Sequence, residues 1–193
     1  NFFPFLGTAT DLHYLTYRNV NFFKISKDDN NYNFNFTGSF SKTDFEKKQY
    51  EVDLISNTQL QTSNSDYNTK DVFSSFFNRF EYNRFSGLRY KSQIGLDFNY
   101  EIVEGAKIED NFSSIYNYSL FTQSSFEFSD KLTTQVGLRL PYHSLYSANL
   151  IPSIYFKYDF NKNNQIRLSY SKGFRSPTIK ELFMEFIDIN HNI

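Results

Sequence analysis

The chain has 193 residues, a formal net charge of −1, no cysteine and no tryptophan, but 24 phenylalanines and 15 tyrosines. The charge balance offers no basic field for nucleic acid, and the lack of cysteine excludes a disulfide framework, a thiolate metal site and a cysteine nucleophile. Aromatics make up 20% of the residues while mean hydropathy is −0.55, the mark of alternation rather than of a thick apolar core.

No apolar run approaches the roughly 18 residues of a transmembrane helix, but the strands of a membrane barrel need only about 9–11 alternating residues. Leu12 to Ser26 is aromatic and strand-like, with two poorly separated faces. Lys27-Asp28-Asp29-Asn30-Asn31 is a turn by composition. Tyr32, Phe34, Phe36 and Phe40 then alternate with Asn33, Asn35, Thr37 and Ser39, a half-apolar strand. The phase resumes at Tyr50, Val52 and Leu54, which leaves Lys42 to Gln49 as either a projecting continuation or a hairpin tip. Ser56 to Lys70 reads as a long polar loop.

Val72, Phe76, Phe80 and Tyr82 begin another strand, which breaks near 84–87. From 88 to 100 Leu88, Tyr90, Ile94, Leu96, Phe98 and Tyr100 face one way and Arg89, Lys91, Gln93 and Asp97 the other. Glu101 to Asn111 is a charged loop containing Gly105. Phe112 to Phe128 and Leu132 to Tyr142 alternate in the same phase around the turn Ser129-Asp130-Lys131. Leu150 to Phe160 follows, then the turn Asn161-Lys162-Asn163-Asn164. The last strand, Gln165 to Arg175, sets Ile166, Leu168, Tyr170 and Phe174 against Arg167, Ser169 and Arg175. Ser176-Pro177 stops it. Ile179 to Ile189 is apolar and acidic, and Thr178 with Glu181 three residues on has the form of a capping box, so one or two helical turns are expected.

The reading is all-β: an antiparallel up-and-down meander of about eight strands over residues 1–193. Connections alternate between short ones (27–31, 84–87, 129–131, 161–164) and longer ones (55–70, 101–111, 143–149, after 175), which is how outer-membrane barrels are built. Tyr100, Tyr142 and Phe160 stand where aromatic girdles would lie. A soluble or surface-exposed β-sandwich for adhesion or carbohydrate binding stays open as an alternative, as does a small independent outer-membrane barrel. The long strands and aromatic faces speak against the sandwich, whose strands usually run about 5–6 residues. The chain starts at Asn1 without Met or a secretory signal and closes in loop-like sequence, so it reads as a piece of a longer protein.

Nothing supports catalysis: no GxSxG, HExxH or P-loop pattern occurs. The expectation is a protein that is not an enzyme and uses no cofactor or metal. Arg89, Asp97, Arg139 and Arg167 lie on the polar face and would look into a lumen. Arg175 reads as half of a lumen salt bridge, or as the anchor of an outer loop or contact for an anionic ligand. Asp188, Asn190 and His191 cluster in the last segment, but without a second His or a Cys they make a poor metal site. His13 and His143 are isolated.

Gly173-Phe174-Arg175-Ser176-Pro177, then Lys180-Glu181-Leu182-Phe183, then the Asn/His-bearing end resembles the late-barrel segment of TonB-dependent outer-membrane receptors of Bacteroidetes-type bacteria. Val136-Gly137-Leu138-Arg139 and Ile151-Pro152-Ser153-Ile154 share the resemblance, as does Tyr50 to Leu54 more loosely. The resemblance implies an outer-membrane barrel around an N-terminal plug, importing a scarce ligand such as siderophore-iron, heme or cobalamin with energy relayed by TonB. It implies lipid, the TonB complex and a surface lipoprotein as partners, and a Gram-negative outer membrane as location. Such barrels close at about 22 strands, so this chain would be an open part of the wall, without plug or closure. Residues 176–193 would form an extracellular loop with a short helix, and Arg175, Glu181, Asp188, Asn190 and His191 would line the ligand-facing mouth.

Overall fold

The computed structural model describes residues 7–63, 67–87, 89–106 and 108–183. The strands are β1 (Thr8–Asp28), β2 (Tyr32–Asp53), β3 (Gln59–Gln61), β4 (Thr69–Ser86), β5 (Tyr90–Gly105), β6 (Phe112–Ser129), β7 (Leu132–His143), β8 (Ile151–Asn161) and β9 (Asn164–Ser171). A short helix, α1, follows at Ile179–Phe183. All nine strands form one antiparallel sheet in the order β1-β2-β4-β5-β6-β7-β8-β9, with β3 beside β2. Among the described residues β1 and β9 are each paired on one side only, so the sheet is open. A single open sheet is neither a two-layered sandwich nor a closed small barrel.

The meander of about eight strands is present, with a ninth and very short strand added. β3 lies inside the stretch 56–70 expected to be loop. Three residues are too few to show a period, and β3 exists because its ladder to Tyr50, Glu51 and Val52 extends the sheet past the end of β4. Lys42 to Gln49 continues β2 without a break. β5 runs to Gly105, five residues into the expected charged loop. A Cβ on Gly105 would sit 2.8 Å from the Asp71 backbone, and its φ is +156°, so the strand can end there only on glycine. The last strand stops at Ser171, not at Arg175. The Lys172 N–H still bonds the Pro152 carbonyl beside the first residue of β8, and residues 173–178 then leave the ladder.

Register puts the expected faces together. Phe36, Phe80, Leu96, Leu120 and Leu140 form one row across five strands. All lie on the outer face, and no second layer of described protein covers them; Leu96, Leu120 and Leu140 are 45–51% exposed. On the long-loop side Phe76, Tyr100 and Tyr116 form a parallel row. Tyr118 and Tyr142 stack beside it at 4.6 Å. On the short-turn side stand Tyr90 and Phe126, 4.9 Å apart, and Tyr158 and Phe160, also 4.9 Å apart. The rise from Tyr90 to Tyr100, at about 3.3 Å per residue and a tilt of about 40°, gives roughly 25 Å between the two aromatic bands.

Above the long-loop band the outer face becomes ionic. Lys70 holds Asp44 at 3.0 Å and Glu46 at 3.3 Å, and Lys48 holds Glu46 at 3.1 Å. The 22 residues of β2 are about twice what a tilted strand needs to cross a bilayer, and this charged half is the surplus. Among the described residues no helix is long and apolar enough to cross a membrane, which says nothing of strands.

Candidate functional site

The face opposite the aromatic bands carries odd-numbered residues of β4 to β8, and its centre is a carboxylate shared by two arginines. Asp97 on β5 is 5% exposed. Its direct cross-strand neighbour Arg79 on β4 grips it with two bonds, Nε to Oδ1 at 2.6 Å and Nη2 to Oδ2 at 3.0 Å. Arg139 reaches the same carboxylate from β7 at 2.7 Å. Ser119, opposite Asp97 on β6, donates at 3.5 Å. Phe121 stands between the two guanidinium groups, 5.7 Å from that of Arg79 and 6.0 Å from that of Arg139. Its ring occupies the space over Gly95, where a Cβ would lie 2.2 Å from it. The cluster carries one surplus positive charge, and Asp97 is the group that would be left worst placed without its partners.

Asp97→Leu is expected to destabilise the protein by about 1–3 kcal/mol, because two guanidinium groups lose their acceptor in a partly desolvated place. The urea midpoint of the full-length protein in micelles reads this out, and an unchanged midpoint would show that the two arginines rehydrate freely.

Residues 172–183 return over this inner face. The Lys172 N–H bonds the Pro152 carbonyl at 3.1 Å, and the chain then crosses back from β9 to β4–β6. There Ile179 of α1 joins Phe73, Val103, Ile108 and Ile115 in the buried core of the described protein, with Phe45, Leu182 and Phe183 around them. Lys180 lies over the rings of Phe45 and Phe73, its Nζ at 4.4 and 4.3 Å from their centres. The Ile179 N–H reaches Glu101 Oε2 at 3.4 Å.

Thr178 and Glu181 hold the start of α1 reciprocally. The Thr178 N–H donates to Glu181 Oε2 at 2.8 Å, and the Glu181 N–H donates to Thr178 Oγ1 at 3.4 Å. Arg175 pairs with Glu181. The Thr178 N–H, then Arg175, hold the Glu181 carboxyl below the usual carboxylate range. A depressed folded pKa stabilises above the unfolded value and is lost as pH falls through the folded one. The cap is therefore complete at neutral pH and is lost only as pH falls below the ordinary glutamate range. Thr178→Ala is expected to cost about 1 kcal/mol of local helix stability. Faster hydrogen exchange at the amides of Glu181–Phe183, with the global midpoint unmoved, is the result to look for.

The candidate residues named from the sequence scatter. Asp97 and Arg139 meet. Arg89 sits at a short turn, pairing with exposed Asp130 at 3.0 Å. Among the described residues the Arg167 side chain bonds only Gln165, two residues back on β9, at 3.2 Å. Arg175 pairs within its own segment. Asp188, Asn190 and His191 lie outside the described residues. Arg79 is missed by sequence reasoning although its odd position gives its face; only the register opposite Asp97 shows its role. Among the described residues no three His, Asp or Glu side chains group as metal ligands.

A family model described as "TonB dependent receptor-like, beta-barrel" matches residues 3–192. The chain belongs to this family. The open meander is accordingly part of a receptor barrel, and the family is one of receptors and transporters rather than enzymes. Among solved structures the chain is similar to the siderophore receptor PirA from Pseudomonas aeruginosa, at 14% identity and a TM-score of 0.48. The match covers 87% of this chain and 39% of that one, so the chain spans about two fifths of that receptor's length. No curated protein matches.

Proposed function

We propose that this chain forms part of the wall of a TonB-dependent receptor that imports a scarce ligand across the outer membrane of a Gram-negative bacterium. The observation that carries the reading is the outer face: an aliphatic band bounded by two aromatic ones about 25 Å apart, with its ion pairs, among the described residues, beyond that band. That face suits lipid tails and headgroups. The short turns would then face the periplasm, and the long connections, the surplus of β1 and β2 and the return segment 172–183 would face outward. The polar inner face would meet a plug and passing cargo. Coupling to TonB would run through parts of the receptor other than this wall, and the outer loops offer a contact for a surface lipoprotein.

Two measurements test this. The full-length protein should require detergent for extraction and show heat-modifiable gel mobility; ready solubility without detergent would end the barrel reading. Cells lacking it should fail to take up one solute among iron chelates, heme, cobalamin and oligosaccharides, and normal uptake of all of them would remove transport.

A further inference from the structure

A cleft of about 370 Å³ opens on the inner face between β6, β7 and the start of the return segment. Asn117, Ser119, Arg139 and His143 line it from the wall, and Lys172 and Ser176 from the return segment. Its lining holds two cations and no carboxylate. Arg139 places a single N–H on Asp97, a carboxylate it shares with Arg79, and a guanidinium has five N–H donors. Lys172 is held at the rim by its backbone bond to Pro152, and no ion pair of its side chain occurs among the described residues.

His143 adds an independent sign. It is 4% exposed. Its Nδ1 accepts the Leu145 N–H at 3.1 Å, so the neutral ring carries its proton on Nε2. That nitrogen has no partner among the described residues. Buried donors are normally satisfied; this one lies in the cleft wall closed to solvent, and a bound acceptor reaches it only when the wall relaxes around the solute. Asn117 and Ser176 add neutral donors on the two sides.

We infer that this cleft is a subsite for the oxyanion of a small solute, a carboxylate or a phosphate, held between wall and return segment. The inference rests on the receptor reading, because the inner face is where cargo would travel. An uncharged sugar would leave Lys172 without a counter-charge and the remaining Arg139 donors without an anionic acceptor. The bound anion bridges the wall at Arg139 to the return segment at Lys172, so its arrival is felt by the element that carries α1.

The test titrates the full-length protein in micelles with citrate and with inorganic phosphate, and with maltohexaose as an uncharged control, by calorimetry. At least one anion should bind and the sugar should not. Arg139→Gln and Lys172→Gln should each weaken binding at least tenfold, while Lys131→Gln, at a short turn, should leave it unchanged. Citrate alone assigns a carboxylate, and phosphate alone assigns a phosphate. Because Arg139 also holds Asp97, Lys172→Gln is the variant that keeps the test clear of misfolding, and heat-modifiable mobility checks both. No binding of either anion, binding indifferent to Lys172→Gln, or equal loss in Lys131→Gln would overturn the inference. Uptake separates it from the receptor reading: wild-type uptake by a Lys172→Gln strain of the solute that the deletion strain fails to import would remove the subsite and leave transport standing. A deletion strain with no defect would remove transport, and calorimetry would still decide the cleft.

Discussion

Leu120→Arg is expected to destabilise the full-length protein in lipid vesicles by about 2–4 kcal/mol, the penalty for a cation on the lipid face near mid-membrane. Leu120 lies in the middle of the aliphatic row, flanked across the ladder by Leu96 and Leu140, and is 45% exposed. Its exposure matters because burial against protein would give a different result. A buried leucine replaced by arginine destabilises in any medium, whereas this one should be far better tolerated in short-chain detergent, where water reaches the site. Gln123→Glu, on the same strand but the inner face, should stay within about 0.5 kcal/mol of the parent protein. Urea unfolding in vesicles measures both. Equal midpoints for Leu120→Arg and the parent would mean that the aromatic-bounded face does not touch lipid, and the membrane reading would fall with it.

Ile115→Ala should cost about 2–4 kcal/mol, the usual range for an isoleucine truncated in a packed site. Ile115 is 1% exposed and Val103, on the neighbouring strand, 0%. They are the floor on which Ile179 rests. The cavity left by the truncation cannot collapse easily, since the floor is a ladder of paired strands and only α1 above it can move. The same variant should therefore loosen α1, seen as faster tryptic cleavage at Lys180, which sits in α1 with its ammonium over the Phe45 and Phe73 rings. Destabilisation without faster cleavage would show that α1 holds its place by the Thr178–Glu181 cap and Glu101 instead of by this packing.

The two substitutions concern opposite faces, and the faces differ in how far the sequence reveals them. Leu96, Leu120 and Leu140 are assignable to one side by counting, since adjacent residues of a strand point oppositely. The turns at 129–131 and 161–164 show in their composition. The core under α1 is not readable in this way. Phe73, Val103 and Ile115 occupy odd positions, out of phase with the apolar face, and counting gives them to a wet lumen. They are dry because a segment more than 60 residues further along the chain folds back onto them. The capping-box spacing of Thr178 and Glu181 is local and visible, but where its helix lands is not.

The charged site divides in the same way. Asp97 and Arg139 can be named from their phase; that they share Arg79, and that Arg89 and Arg167 stay apart from them, follows from strand register. A shift of one pair would have moved Arg79 from Asp97 to a neighbour on the other face. His143 looks isolated in the sequence and lines a cleft in the fold, because β7 ends where the return segment begins to cross.

Sequence alone therefore determined the sheet, its connections and which side chains point outward, because these depend on a two-residue period and on turn chemistry within a few residues. The open sheet was expected from the family resemblance; only the tertiary structure decided that two arginines converge on Asp97 and that α1 closes over the inner face. Those features depend on which residues of distant strands lie opposite each other, and the period that fixes a side chain's face carries no information about its partner.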